Sequence, residues 1–454
     1  MRLQSPWTPR LADDRGLAHE KLVAALAEDI AEGTLPAGAR LPAHRELAYQ
    51  LGLGLGTVTK AYAVLERRGL VQSVRGRGMF VATLAARPAS LIDLSINVPP
   101  QMLSDRLLAA ALGQIARQLG ADAFGAYAPA AGRSEHRAAM ARWLRGQGLD
   151  LPADQVFICH GAQHALWVAL GAACPPGGEI LTEVVTYPGA IQIARQLGRS
   201  LLGLAIDAEG LSPAALEAAL ARPAGGGRRV LYVTPTLHNP TTATMGAGRR
   251  QDIVRLCRAH DVTIVEDDVY AALGASGLPP LAALAPERTL HVAGLSKTLS
   301  PGLRIGSLGV PATWAAPALA WLQASTTMAS PIAGLIMEQW LADGTVTSVA
   351  ASIRTEAMRR VVLAETLLPE GSLRAAGGFH VWLPMPLVAA ERLARQAAAA
   401  GVLVMAPEAP LTDPLGEAGG IRLSLGGPPI EVLKQGLRTV AECLDGGAGT
   451  GRAV

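Results

Sequence analysis

The sequence predicts a multi-domain chain. A small, mostly helical head closed by a basic hairpin comes first, then a large α/β domain that ends in a smaller α+β subdomain. Three observations lead there. A chain of 454 residues, half of them hydrophobic, is too long for one ordinary core. The N-terminal part reads as helices separated by turns, then two short strands around Arg75-Gly76-Arg77-Gly78. From about Leu91 onward, apolar strand-like runs alternate with Ala/Leu-rich helical runs. That is the pattern of a mostly parallel sheet covered on both faces.

In the head, Leu22, Leu26 and Ile30 recur at helical spacing, and Gly33 ends the run. Leu35-Pro36-Ala37-Gly38 is a turn. Pro42 opens a short helix through Leu51, stopped at Gly52. The next helix, Gly54–Arg68, places Val58, Ala61, Tyr62 and Leu65 on one face. Leu70–Ser73 and Met79–Val81 are the hairpin strands. A helix, a helix–turn–helix and a basic hairpin together make a winged helix. Thr83–Ser90 reads as a linker. Beyond it the expected strands are Ile180–Glu183, Leu201–Ile206, Val230–Thr234, Val262–Asp267 and Leu290–Val292. The last part begins helical near Pro311 and ends with strands at Gly378–Leu383 and Ile421–Leu425. The tail Gly446–Val454 is expected to be disordered.

Composition excludes several function classes. No run of about 18 uncharged apolar residues is present, so no membrane span is expected. The N-terminus lacks an apolar signal core, which makes the cytoplasm the expected location. Cys159, Cys174, Cys257 and Cys443 form no Cys-x-x-Cys pair, which argues against zinc or disulfide frameworks and for free thiols. The net charge of +3 says little, but residues 1–90 hold twelve Lys/Arg against eight Asp/Glu. A mildly basic head suits a polyanionic partner.

Three stretches carry chemistry. Lys297 lies in Gly294-Leu295-Ser296-Lys297-Thr298, a small-residue loop after an apolar strand. From there an amine reaches a cofactor aldehyde and forms a Schiff base; the competing reading is a surface lysine in a turn. Val262–Val265 is an apolar strand running into Glu266-Asp267-Asp268. A carboxylate at a strand's C-terminal end sits where α/β sheets bind ligands, and a pyridine nitrogen needs such a partner to stay protonated. The competing reading is helix capping by Asp267 or Asp268. Asn239 lies in Thr234-Pro235-Thr236-Leu237-His238-Asn239-Pro240, a rigid turn after another strand.

Asn-Pro-Thr at 239–241, Asp-x-x-Tyr at 267–270 and Ser-Lys followed by Arg304, in this order and spacing, resemble fold-type I aminotransferases dependent on pyridoxal 5′-phosphate (PLP). The likeness runs from about 91 to 440. Leu41-Pro42-Ala43-His44-Arg45-Glu46-Leu47-Ala48, with Gly69-Leu70-Val71 and Gly76-Arg77-Gly78, resembles the GntR winged helix. The two in series resemble the MocR subfamily of bacterial transcription regulators. The division implied is a winged helix at 12–82, a linker at 83–90 and an aminotransferase-like domain at 91–445. The large subdomain would end near 310 and the small one begin near 311.

The resemblance implies residue roles. Lys297 is the Schiff-base lysine, Asp267 the pyridine-nitrogen partner, and Tyr270 with Asn239 the pair at the ring hydroxyl. Tyr187 stacks on the ring. Gly161-Ala162-Gln163 is the phosphate-binding turn before a helix, and Ser296 and Arg304 are further phosphate contacts. Tyr127 reaches the phosphate of a neighbouring subunit in a homodimer. Arg422 grips a carboxylate through a bidentate pair; a structural ion pair is its alternative. His160 and His164 flank the phosphate turn and are expected to pack or to face solvent. For DNA, the implied contacts are Arg45, then Thr57, Thr59 and Lys60 on the recognition helix, and Arg75, Gly76 and Arg77 in the wing.

Three departures stand out. Gly294 replaces the hydroxyl residue common three positions before the lysine. Ala162 stands where Ser or Thr is frequent. Gly54-Leu55-Gly56-Thr57 replaces the usual Ser/Thr-Arg-Thr start of the recognition helix. The expected function is a DNA-binding, PLP-binding transcription regulator whose effector, an amino compound or PLP, acts by aldimine exchange at Lys297. Arg422 favours a carboxylated amine. The alternative is an aminotransferase with a vestigial head.

Overall fold

The computed structural model describes residues 17–31, 34–36, 38–67, 70–74, 78–81, 91–118, 125–223, 227–274, 277–370, 378–413 and 419–448. The chain divides into two compact units, Met1–Ser90 and Leu91–Val454.

The first unit contains helices Ala18–Ala31, His44–Gln50 and Leu55–Arg67, then an antiparallel hairpin pairing Val71–Val74 with Gly78–Val81. Leu22, Leu26, Leu47, Val58, Tyr62 and Leu65 form its core and are all buried. The helical spacing read from the sequence is therefore the spacing that buries. The buried Tyr62 hydroxyl donates to the Pro42 carbonyl at 2.9 Å, tying the third helix to the start of the second. The second helix begins at His44 rather than Pro42, because Ala43 is still extended at φ −63°, ψ 146°. Gly33, the wing tip Arg75-Gly76-Arg77 and the linker 83–90 lie outside the described residues.

The second unit is built on a seven-stranded sheet. Across it lie Val156–Cys159, Gly306–Gly309, Thr289–Gly294, Thr263–Asp267, Arg229–Val233, Glu179–Glu183 and Ser200–Leu204. All are parallel except Gly306–Gly309, which runs antiparallel to both neighbours. Side chains alternate across the pleat. Val230 and Tyr232 pack under the helix Ala162–Ala173, while Leu231 and Val233 pack on the opposite cluster with Ile253 and Leu256. The expected strands shift by a residue or more at their ends, and two change most. Leu201–Ile206 is divided into Ser200–Leu204 and a short Ile206–Asp207, and Leu290–Val292 lengthens to Thr289–Gly294. Val156–Cys159 and Gly306–Gly309 had no distinct sequence signal: one is four residues long and the other begins and ends in glycine.

The smaller α+β cluster is assembled from both ends of the unit. Its strands His380–Pro384 and Gly420–Ser424 pair antiparallel. Ile92–Asp93 pairs with Val402–Leu403, and Ile92 and Leu94 join the core of Leu383, Leu393 and Leu423. A division into 91–310 and 311–445 therefore needs correction at both ends. Residues 92–94 belong to the smaller core, whereas Trp340, Val346 and Ile353 pack on the large one. The 23-residue helix Thr345–Leu367, about 35 Å long at 1.5 Å per residue, passes from the large core at Ile353 to the small one at Val361. The last helix, Ile430–Ala448, runs past the expected domain end at 445.

Arg250, on the helix Ala247–Ala259, fixes the turn that carries Asn239. It is 1% exposed, and it donates to the carbonyls of Met245, Pro279 and Pro235 and to the Thr236 hydroxyl at 2.9–3.2 Å. Arg250→Leu strands these four acceptors. The expected cost is about 3 kcal/mol, read as a lower urea midpoint with an unchanged slope.

Candidate functional site

The C-terminal ends of the parallel strands open into a cavity of about 690 Å³. Its wall brings together Ala162, Gln163, Tyr187, Asn239, Asp267, Tyr270, Ser296, Lys297, Arg304 and Arg422. These come from positions spread over some 260 residues, and the sheet gathers them at one edge. Gly161 adjoins the wall through Arg304. Tyr127 does not join it: the side chain is exposed.

Three consecutive acids span the end of the Thr263–Asp267 strand, Asp268 lying just beyond it, and their surroundings separate them. Glu266 faces away and accepts the backbone N–H groups of Leu281 and Ala282 at 2.7 and 2.8 Å. Asp268 lies 3.4 Å from His291. Asp267 faces the cavity. Its Oδ2 accepts the Tyr232 hydroxyl at 2.9 Å, while Oδ1 is buried without a partner. Burial pushes its pKa up to about 6, with the Tyr232 hydrogen bond working against that rise. Such a carboxylate is completed by a cationic N–H directed at Oδ1. Tyr232 was missed in the sequence; the one available signal is a hydroxyl inside an otherwise apolar strand.

Lys297 follows the Thr289–Gly294 strand, next to the Asp267 strand in the sheet. Burial, and then the Arg422 charge, lower its pKa to about 8. The Lys297 Nζ donates to the Asn97 carbonyl. Asn97 Nδ2 donates to the Tyr270 hydroxyl at 2.7 Å and lies 3.3 Å from His380 Nδ1. Burial beside Arg422 pushes His380 down to about 3, so the ring is neutral. Among the described residues, no carboxylate lies within ion-pair distance of Arg422. It donates to Asn239 Oδ1 at 2.8 Å and to the Ser95 carbonyl, and its buried Nε has no partner. The segment Ser95–Asn97 therefore holds Arg422, Lys297 and Tyr270 at once. It carried no motif and was also missed.

At the other end of the cavity, Gly161 precedes the helix Ala162–Ala173 with φ +80°. A Cβ there would sit 2.7 Å from the Arg304 guanidinium, so only glycine lets that cation lie against the helix N-terminus. Gly306 is equally constrained: a Cβ would meet the Gly161 carbonyl carbon at 2.4 Å. The Tyr187 hydroxyl donates to Gln163 Oε1 at 2.7 Å, which fixes the ring over the cavity wall. His160 and His164 are engaged elsewhere, with Met328 and Ser325, and line no part of the cavity.

In the head, Arg45, Thr59 and Lys60 are exposed and Thr57 is half-buried. The Thr59 hydroxyl donates back to the Leu55 carbonyl. Gly56 has open space where a side chain would stand, and at Gly54 a Cβ meets only Thr57 Oγ1 at 3.7 Å. Neither glycine is required by packing.

Comparison with known proteins gives two family matches. Residues 18–81 match the bacterial regulatory proteins of the gntR family, and residues 89–440 match aminotransferase class I and II. The HTH-type transcriptional regulator YdeF of Bacillus subtilis is 28% identical over 97% of each chain. The pyridoxine biosynthesis transcriptional regulator PdxR of Corynebacterium glutamicum is 30% identical over 78% of this chain and 80% of its own. The chain belongs to the gntR-type transcription regulators with a class I and II aminotransferase domain. Among solved structures, an archaeal alanine:glyoxylate aminotransferase superposes with a TM-score of 0.72 at 23% identity, over 86% of this chain and 95% of that one. That likeness is one of fold.

PLP is the cofactor of this domain family, and the regulator's residues fit it. Asp267 Oδ1 offers an open carboxylate oxygen, Lys297 a weakly basic amine, and the Gly161 turn with Arg304 a cationic cradle for a phosphate. No helix among the described residues is long and apolar enough to cross a membrane.

Two outcomes follow for this regulator. Lys297 attacks an aldehyde only when neutral. At pH 7 an amine with a pKa near 8 is neutral roughly 300 times more often than one at 10.5. The rate of PLP capture by the cofactor-free protein should rise with pH, level off above about 8, and vanish in Lys297→Ala, followed by the absorbance of the bound cofactor. In the head, Gly56→Arg should fold normally and tighten DNA binding. It should also steepen the slope of log affinity against log salt by about one unit, as one added phosphate contact does.

Proposed function

We propose that this regulator holds PLP on Lys297 and alters its DNA contact when an amino compound, or PLP itself, fills the cavity. One observation carries the reading. Ser95–Asn97 holds Arg422, Lys297 and Tyr270, and it follows closely after Ser90, where the head unit ends. A ligand carboxylate on Arg422 competes with the Ser95 carbonyl. An amine that takes the place of Lys297 releases that lysine for a different contact. Both events act on the stretch of chain that leads to the head, which gives the ligand a different affinity for two states, the condition for switching.

Each residue has a task. Bound PLP supplies an aldehyde that amines condense with, and a ring that withdraws electrons while its nitrogen is protonated. Asp267 holds that nitrogen's proton. Tyr270 and Asn239 orient the ring hydroxyl, Tyr187 stacks, and Gly161, Ala162, Gln163, Ser296 and Arg304 seat the phosphate. Tyr127 serves the site of a second copy, which makes the assembly a homodimer. Arg45, Thr57, Thr59 and Lys60, with the wing residues Arg75, Gly76 and Arg77, contact double-stranded DNA, and the protein acts in the cytoplasm beside it. The name of PdxR links that relative to pyridoxine biosynthesis, which keeps PLP itself among the effectors to test.

A second reading, an aminotransferase with a vestigial head, is favoured by Gly54 and Gly56 at the recognition helix. Lys297 as proton carrier, Asp267 and Arg422 are the parts transamination requires. Stopped-flow spectra with an amino acid and a keto acid test it, and absence of turnover counts against it.

Gel shift on the intergenic DNA upstream of its own gene tests the main reading. Salt-sensitive specific binding is expected, with PLP or an amine changing affinity by roughly 5- to 150-fold. Lys297→Ala should keep DNA binding and lose the response. No specific binding at any salt would sink the proposal.

A further inference from the structure

A second set of buried polar groups lies on the face of the sheet turned away from Asp267. Side chains in register on parallel strands share a face. His291 is in register with Glu266, whereas Asp267 is in register with Val292. Asp268 prolongs the ladder, its N–H donating to the Val292 carbonyl at 2.9 Å. Its Oδ2 lies 3.4 Å from His291 Nε2, which puts it on the Glu266 face. Burial disfavours a charged His291 ring, but the Asp268 contact and the Glu266 charge outweigh it and raise the pKa.

Beside this pair is a small cavity of about 20 Å³. Asp268, His291 and Thr298 line it, together with Trp143, Gln147 and Gly294. The first three are 5%, 2% and 2% exposed. Each carries a buried polar atom without a partner among the described residues: Asp268 Oδ1, His291 Nδ1 and Thr298 Oγ1. Burying three such atoms uncompensated is costly. A buried water needs a space of roughly 10–15 Å³ or more and about three polar partners, and this cavity supplies both. The chemistry also matches. Ionised Asp268 Oδ1 only accepts, while the Thr298 hydroxyl and an imidazole nitrogen each donate or accept. A cation suits the place less well, because one of its three ligands would be a ring whose own proton affinity is raised.

The position of the cavity gives the occupant a task. Asp268 directly follows Asp267, and Thr298 directly follows Lys297. No direct hydrogen bond joins the Asp268 and Thr298 side chains. A molecule bonded to both ties the strand end that presents the carboxylate to the loop that presents the amine, from the side away from the cofactor.

We propose that one water, held by Asp268, His291 and Thr298, links the Asp267 strand to the Lys297 loop, and that these three are positioning residues for the cofactor's carboxylate and amine partners. The positioning role rests on the reading that Lys297 captures PLP; the water site does not.

Two arms test this. The first is a crystal structure of the full, unmodified chain with PLP, at a resolution that shows waters. One density peak is expected in the cavity, about 2.5–3.2 Å from each of Asp268 Oδ1, His291 Nδ1 and Thr298 Oγ1. No peak, or a peak that misses any of the three, overturns the site. The second arm is the rate of PLP capture by the cofactor-free chain, followed by absorbance. Thr298→Val keeps the side-chain shape and deletes the hydroxyl, and should slow capture about tenfold, as the loss of one hydrogen bond does. Thr298→Ser keeps the hydroxyl and should stay within about twofold of the unmodified chain. Equal rates for the two variants overturn the positioning role. If Thr298→Val does not fold, Thr298→Ala against Thr298→Ser repeats the comparison, since that pair differs by the hydroxyl alone. A capture rate that differs between lithium, sodium and potassium chloride at equal ionic strength identifies a cation and overturns the water. If the unmodified chain captures no PLP at Lys297, that reading falls and the positioning role with it, while the crystal structure still decides the site.

Discussion

A carboxylate buried at the end of a central strand is the constraint on which the site depends. Asp267 is desolvated enough to titrate near 6, and one of its oxygens has no partner. Such a group persists only where its surroundings supply compensation. Tyr232 supplies one hydrogen bond from the neighbouring strand. Against this single carboxylate the wall sets three cations, Lys297, Arg304 and Arg422. The excess positive charge suits anions, with Arg304 at the Gly161 end and Arg422 at the other. It also lowers the basicity of Lys297, because a further proton there adds to the same repulsion.

Much of this was legible in the sequence, for identifiable reasons. The Val262–Asp267 run, the Asn239 turn and the Lys297 loop each join an apolar strand to a polar end, and the sheet places such ends together. The head was legible because Leu22, Leu26, Val58, Tyr62 and Leu65 keep helical spacing and all are buried. Three acids in a row were ambiguous on paper. The pleat resolves them, turning Glu266 to one side to cap a short helix and Asp267 to the other.

The residues that were missed act across long sequence distances. Asn97 reaches Tyr270, 173 positions away, and Arg422 reaches Ser95, 327 positions away. No local pattern announces such contacts. The division of the second unit was misplaced for a related reason: a strand of two residues, Ile92–Asp93, is too short to show a period, yet it completes the smaller core. The head and the cavity also differ in how strictly packing fixes them. Gly161 and Gly306 leave no room for a side chain, whereas the space around Gly56 is open.

Gly294 and Ala162, which stood apart as two unrelated departures, are neighbours in space. A Cβ on Gly294 would lie 3.4 Å from that of Ala162 and 3.3 Å from the Ile305 carbonyl. They form one gap where two hydroxyls are missing beside the phosphate cradle. Each charge-assisted hydrogen bond lost there raises the half-filling concentration of the cofactor by roughly tenfold. A pocket relaxed in this way would fill over a range of cofactor concentrations. Under the proposed function, the same gap that weakens a catalyst would give a sensor its working range.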